Sequence, residues 1–179
     1  MTVARACLAS VVALAFSGIA WAQDSESSRL AQQLAAALEA AKVESIAARD
    51  STRPGTYIAA LYFSGTELLV VSAQYAVPPL LDQKLVKKEY REIYLDLNGA
   101  AVPGTNVFIE DLGADGLKVR PDENTPADGY EAGGKRTAFT GDWKAQKLSE
   151  TAYQQAFAAA ESEYRRMLTA LLAELTKKS

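Results

Sequence analysis

The sequence contains no histidine and only one cysteine among its 179 residues. The missing histidine excludes His-based catalytic triads, and the single thiol of Cys7 cannot supply the several ligands of a cysteine-type zinc site. The longest apolar run, Leu8 to Ile19, is shorter than the roughly 20 residues that a membrane-spanning helix needs. The sequence therefore predicts no triad hydrolase, no zinc site and no membrane span.

No strong charge of either sign is present. The chain has 19 basic and 22 acidic residues and a formal net charge of −3. A protein that binds nucleic acid usually carries an excess of positive charge on one face. We therefore expect no nucleic-acid partner.

The first 22 residues have the pattern of a cleaved secretory signal peptide. Arg5 gives a positive start, Leu8 to Ile19 form the apolar centre, and Ala20-Trp21-Ala22 is an A-x-A cleavage site before Gln23. We predict that residues 1–22 are removed and that the chain is exported, to the periplasm or outside the cell. Residues 23–179 then form a single globular domain that contains no cysteine.

Hydrophobic periodicity predicts an α+β fold with a mostly antiparallel sheet of about five strands covered by helices, in the order α-β-β-α-β-β-(β)-α. The clearest signal is a β-hairpin formed by Thr56–Phe63 and Glu67–Tyr75, which flank a turn that contains Gly65. The remaining predictions are helices over 29–49, 80–92 and 149–175, strands over 93–97, 106–112 and 117–120, and a long surface loop over 121–135.

A glycine-rich stretch gives the first candidate ligand site. The residues from Gly129 to Lys135 match the Gly-x4-Gly-Lys part of a phosphate loop, but Arg136 stands where that motif has a hydroxyl. A nucleotide site is therefore disfavoured. A simple anion contact by Lys135 and Arg136 is the better hypothesis.

A cluster of carboxylates gives a candidate metal site. Glu110, Asp111 and Asp115 lie close in sequence, with Asp96 and Asn98 on what we predict to be a neighbouring strand end. Oxygen ligands of this kind suit calcium, although their spacing departs from the EF-hand loop, and a carboxylate pair could instead cleave glycosides. Asp is also an ordinary turn residue at strand ends, so a purely structural role stays open.

Aromatic residues give the last candidate site, because Tyr and Trp often form recognition patches and stack on planar ligands. Tyr62 and Tyr94 are the predicted ligand-binding tyrosines. The same region also carries Tyr57, Tyr75, Tyr90 and Trp143.

The leading functional hypothesis is an exported, non-enzymatic binding module without a cofactor, acting by self-association or on a protein partner. The alternative is a small-ligand binder or a flavin-type split-barrel enzyme, with strand aromatics as a platform and Lys or Arg for an anionic group. The element order resembles both roadblock-type dimerisation domains and flavin-binding split barrels. No residue motif of either family is present, so the sequence assigns no family.

Overall fold

An antiparallel sheet with two helices on one face forms the fold, in a computed structural model that describes residues 25–74, 107–121 and 126–178. The predicted α+β class is confirmed. The strands follow one another across the sheet in chain order, so each pairs with its sequence neighbours. The elements are α1 (Glu26–Ala41), β1 (Ser45–Arg49), β2 (Thr56–Phe63), β3 (Glu67–Gln74), β4 (Val107–Leu112), β5 (Gly129–Ala132), β6 (Lys135–Ala138) and α2 (Glu150–Lys178).

The first helix ends earlier than the sequence predicts. Instead of continuing to Arg49, α1 stops at Lys42, which adopts a left-handed conformation with φ of 53°. The backbone N–H of Val43 then donates to the carbonyl of Leu38 at 2.9 Å, which closes the last turn. This is a helix-ending hydrogen-bond pattern that usually employs glycine. The residues after it form β1.

The main core lies between the sheet and the two helices. Strand side chains such as Ile58 and Val70 pack there against Leu34 of α1 and against Tyr164 and Leu168 of α2, all fully buried. Because side chains alternate along a strand, the intervening residues point to the opposite face. They form a smaller apolar cluster, centred on Ala59, Leu61 and Val71.

Two further predictions for single elements need correction. Strand β5 and the start of β6 lie inside the segment 121–135, which the sequence predicts to be a loop. Residues 117–120, in turn, form no strand. The predicted signal peptide, the helix over 80–92 and the strand over 93–97 lie outside the described residues.

Candidate functional site

Asp111, one of the predicted metal ligands, is fully buried on the helix-covered face of β4. The hydroxyl of Tyr164 donates to its Oδ2 at 2.7 Å, and the backbone N–H of Gly116 donates to the same oxygen at 2.8 Å. Its other oxygen accepts from the backbone N–H of Asp115 at 3.1 Å. Burial raises the pKa of Asp111, and these hydrogen bonds only partly oppose that shift. The carboxylate is thus occupied by donors from its own chain.

A second buried carboxylate, Asp128, lies near Asp111 and is not among the site residues predicted from the sequence. Its side chain is fully buried and accepts the backbone N–H groups of Leu112 at 2.9 Å and Lys118 at 2.7 Å. The Arg120 Nε lies 3.8 Å from Asp128 Oδ1. Burial raises the pKa of Asp128 to about 7, although the backbone donors and Arg120 favour the charged form.

These two carboxylates hold the loop after β4, and that loop packs against the N-terminal end of α1. In that loop, Gly116 has a φ of +95°, and a Cβ atom on it would come within 2.3 Å of Ser28 Cα. The Ser28 hydroxyl also donates to the carbonyl of Asp115. The three predicted metal ligands are therefore not all brought together. Asp111 and Asp115 are joined by a hydrogen bond on the helix-covered side, whereas Glu110 lies on the opposite face of the sheet. Within the described residues, no group of three or more His, Cys, Asp or Glu is placed to hold a metal ion.

The stretch that resembles a phosphate loop is a β-hairpin. Gly133 and Gly134 have φ values of 59° and 74°, the geometry of a tight two-residue turn between β5 and β6. The Arg136 side chain crosses over Gly129 and forms an ion pair with Glu110 of β4. Lys135 is exposed and points to the opposite face from its neighbour. The two cations predicted to contact an anion together therefore do not converge.

Tyr62 is a structural bridge as well as a predicted ligand contact. Its hydroxyl donates to Glu39 Oε2 at 3.0 Å and accepts from the backbone N–H of Gly65 at 2.7 Å, and its side chain is 5% exposed. It borders a cleft of about 770 Å³ between the end of α1 and the β2–β3 turn, whose lining includes Lys42 and Glu44. Tyr94, the other predicted ligand-binding tyrosine, lies outside the described residues.

The sheet edge at β1 presents outward backbone N–H and C=O groups, a binding feature that the sequence did not predict. Hydrogen bonds at both ends of the strand, from Tyr62 N to Glu44 O and from Asp50 N to Thr56 O, show that the even-numbered residues bond to β2. In an antiparallel ladder the odd-numbered residues then direct their N–H and C=O groups away from the sheet. No described residue forms a backbone hydrogen bond with these outward groups, which belong to Ser45, Ala47 and Arg49.

A shallow groove of about 470 Å³ runs beside this edge. It lies between β1 and the C-terminal turns of α2, and small side chains form much of its wall. At one end, the Arg49 guanidinium lies 5.9 Å from the centre of the Tyr57 ring. The groove residues are Ala47, Ala48, Arg49, Ser51, Tyr57, Ala170, Ala173, Glu174 and Lys177.

The opposite edge of the sheet, at β6, is covered by a side chain at Ala138. The Gln146 amide accepts from the Ala138 N–H at 2.9 Å and donates to the Ala138 carbonyl at 2.8 Å, as a further strand would. The exposed charges of Lys135 and Arg136 also lie on this strand. Charge and side-chain cover are two ways in which proteins prevent unwanted pairing at a sheet edge. Among the described residues, a side chain thus covers the edge at Ala138, whereas none covers the edge at β1.

Comparison with known protein families, with curated proteins and with solved structures finds no match to this chain. Neither described helix combines the length and the apolar character that crossing a membrane requires.

Proposed function

We propose that this chain is an exported, non-enzymatic interaction module that binds its partner at the free edge of β1. The observation that carries this proposal is the difference between the two sheet edges. At β1, three consecutive outward residues, Ser45, Ala47 and Arg49, offer backbone groups beside a groove. Partner strands bind such edges by main-chain hydrogen bonds, and pockets for alternate side chains add specificity.

The state of the polar residues supports a binding role over a catalytic one. The carboxylates of Asp111 and Asp128 are buried and accept hydrogen bonds from their own chain. Arg136 is held by Glu110 in an ion pair. A catalytic acid or base needs to come within hydrogen-bond reach of its substrate. The outward backbone groups of β1, by contrast, accept or donate no hydrogen bond within the part of the chain that the structure describes.

The proposal is tested on the chain isolated from its source after export. Native mass spectrometry is expected to show more than one chain in the assembly, and the assembly is lost in Ala47→Pro, because proline removes the outward N–H of β1. Ala47→Ser is the matched control, since it keeps that N–H and adds little volume. A protein that is a single chain in every sample, or an assembly that is indifferent to Ala47→Pro, would overturn the proposal.

The cleft beside Tyr62 favours a second candidate function, the binding of a small ligand. Its volume of about 770 Å³ lies in the range of ligand sites, and Lys42 offers an ammonium group at its rim. Flavin mononucleotide is the first probe, because its phosphate group would pair with this cation. We expect a ligand of this site to raise the melting temperature of the wild-type chain but not of Lys42→Glu. An unchanged melting temperature in both would count against a flavin site.

A further inference from the structure

We infer that the partner at the free edge is a second copy of this chain, paired antiparallel through β1 around a two-fold axis at Ala47. The inference rests on the proposed function and names its partner. Around such an axis Ala47 faces Ala47 of the second copy, and Ser45 faces its Arg49. All of these residues direct their backbone groups outward. Each facing pair can exchange two hydrogen bonds, which gives about six across the contact between the two β1 strands, here called the seam.

Two alternative axes of the same pairing are less favourable. Moving the axis from Ala47 to Arg49 places Arg49 directly opposite Arg49, and like charges that face each other across a strand pair are destabilising. Moving the axis to Ser45 places Ala47 opposite Val43. The N–H of Val43 is already used by the carbonyl of Leu38, at 2.9 Å, at the end of α1. The axis at Ala47 alone among the three avoids both problems.

The side chains at the seam are small enough for two copies to approach. Ala47 is half-buried and Ser45 is its outward neighbour on the same face, so neither fills the space that a second strand needs. Arg49 lies over the Tyr57 ring of its own chain, which holds the guanidinium against its own sheet. Opposite each Arg49 the second copy presents the hydroxyl of Ser45, a neutral hydrogen-bonding partner.

The helix side of the seam is self-complementary as well. A two-fold axis perpendicular to the sheet keeps both α2 helices on the same face and brings their C-terminal turns together in antiparallel order. Those turns present Ala170 and Ala173 toward the groove, together with the acid Glu174 and the base Lys177. Within one chain these two side chains form an ion pair at 3.3 Å, in which Lys177 is largely exposed. Each copy therefore offers both signs of charge to the other, which supports a second copy over an unrelated strand.

Cysteine cross-linking of the full chain tests this register. A Cys7→Ser background is free of thiols, because Cys7 is the only cysteine. Facing Cα atoms in a hydrogen-bonded antiparallel pair are about 5.5 Å apart, within the range of a disulfide. We expect Ala47→Cys to form a covalent dimer on mild oxidation. Ser45→Cys alone should give at least about tenfold less, because its two copies would be roughly 14 Å apart along the strands.

A mixture of Ser45→Cys and Arg49→Cys proteins provides the decisive combination. The expected product joins residue 45 of one copy to residue 49 of the other, and Ala47→Pro is expected to weaken the dimer about 100-fold in analytical ultracentrifugation. Equal cross-linking of Ser45→Cys and Ala47→Cys would overturn the register. A wild-type chain that stays monomeric at high concentration would overturn self-pairing altogether. If the source-isolated chain then still forms an assembly that Ala47→Pro abolishes, the proposed function stands and only the identity of the partner is wrong.

Discussion

The β1 edge and the β6 edge of the sheet differ in how they are covered and in the aspartate that is buried beside each. On the β1 side, here called the open side, no described residue covers the edge, and the buried Asp50, which follows the strand, has its Oδ2 2.8 Å from the Arg166 guanidinium. On the β6 side Gln146 closes the edge, and Asp128, which precedes β5, is buried among backbone donors. Beside the β1 edge Asp50 thus pairs with Arg166 of α2, whereas Asp128 is held by the backbone N–H groups of Leu112 and Lys118.

This difference decides the charge of each acid. Burial pushes the pKa of Asp50 upward, but the hydrogen bonds from Thr52 and the charge of Arg166 outweigh it, so the pKa lies below its usual value. For Asp128 burial prevails and the pKa rises to about 7. The two aspartates therefore differ because Asp50 has a cation at 2.8 Å, whereas Asp128 is more deeply buried, lies near the Asp111 carboxylate and has its cation at 3.8 Å.

The largest effect is expected from removing the acid on the closed side. Asp128→Ala leaves the N–H groups of Leu112 and Lys118 without their acceptor and should lower the free energy of unfolding by about 3 kcal/mol. Chemical denaturation at one fixed protein concentration measures it. Asp115→Ala is the control, because its ion pair with Lys118 is partly exposed and should contribute less than about 1 kcal/mol. Equal losses in the two variants would show that Asp128 does not brace this side.

On the open side, the corresponding change is Arg166→Gln. It leaves the buried carboxylate of Asp50 without its cation, and we expect a loss of about 2 kcal/mol in the free energy of unfolding, because Arg166 itself is 26% exposed. Arg29→Gln, which breaks an exposed pair with Glu26, serves as control and should change stability too little to measure. If the two arginines behave alike, the ion pair at Asp50 does not anchor the β1 side.

The pH dependence of stability separates the two acids directly. In the folded chain Asp128 keeps its proton up to about pH 7, whereas the unfolded chain releases it near its usual pKa of 3.8. Its contribution is therefore complete below that value and is lost as the pH rises toward 7, by up to about 1.4 kcal/mol for each pH unit. The raised pKa of Asp111 adds a slope of the same sign. The lowered pKa of Asp50 acts oppositely, so its contribution is lost as the pH falls below its usual value of 3.8.

Denaturation of wild type and Asp128→Asn from pH 3 to pH 8 checks this expectation. The variant should lose much of the decline between about pH 4 and 7, with Asp111 and Glu161, whose pKa values burial also raises, responsible for the remainder. Arg166→Gln should leave that decline in place and instead alter the acid limb. If stability declines identically in wild type and Asp128→Asn, the raised pKa of Asp128 is not the cause of the decline.

The open side is also where sequence reasoning fell short. The hairpin is predictable because β2 and β3 are long apolar runs around a glycine turn. Helix α2 begins next to its predicted start at residue 149, where the Ser149 hydroxyl accepts from the Ala152 N–H at 3.1 Å. Strand β1 was not predictable in the same way. Its residues are alanine-rich, and Ile46 also fits the helical spacing of α1. The helix stops at Lys42, which adopts a conformation that normally calls for glycine.

The closed side was missed for a different reason. Strands β5 and β6 are short and mostly polar, so they lack the apolar alternation that predicts strands, although Gly133-Gly134 is a hairpin turn signal. The burial of Asp128 depends on donors from Leu112 and Lys118, which lie 16 and 10 residues away in sequence. Single-sequence periodicity does not report such contacts. It could place carboxylates near β4, but it could not show that they point inward.

The smallest effect tests the closed edge itself. Gln146→Ala removes the amide that meets both backbone groups of Ala138, and we expect a loss of about 1 kcal/mol in the free energy of unfolding. Gln146→Glu is the matched control, since its carboxylate can still accept from the Ala138 N–H but repels the Ala138 carbonyl. Its free energy of unfolding should lie between those of the wild type and Gln146→Ala.

The consequence of Gln146→Ala for association is more informative than its stability. Once Ala138 is uncovered, β6 offers a backbone donor and acceptor to a foreign strand, as β1 does in the wild type. The variant should therefore form assemblies larger than a dimer, because a chain with two open edges can continue on both sides. Adding Ala47→Pro should return it to species joined through one edge only. If Gln146→Ala sediments like wild type, then Arg136 and Lys135 are sufficient to protect β6, and charge rather than the glutamine closes that edge.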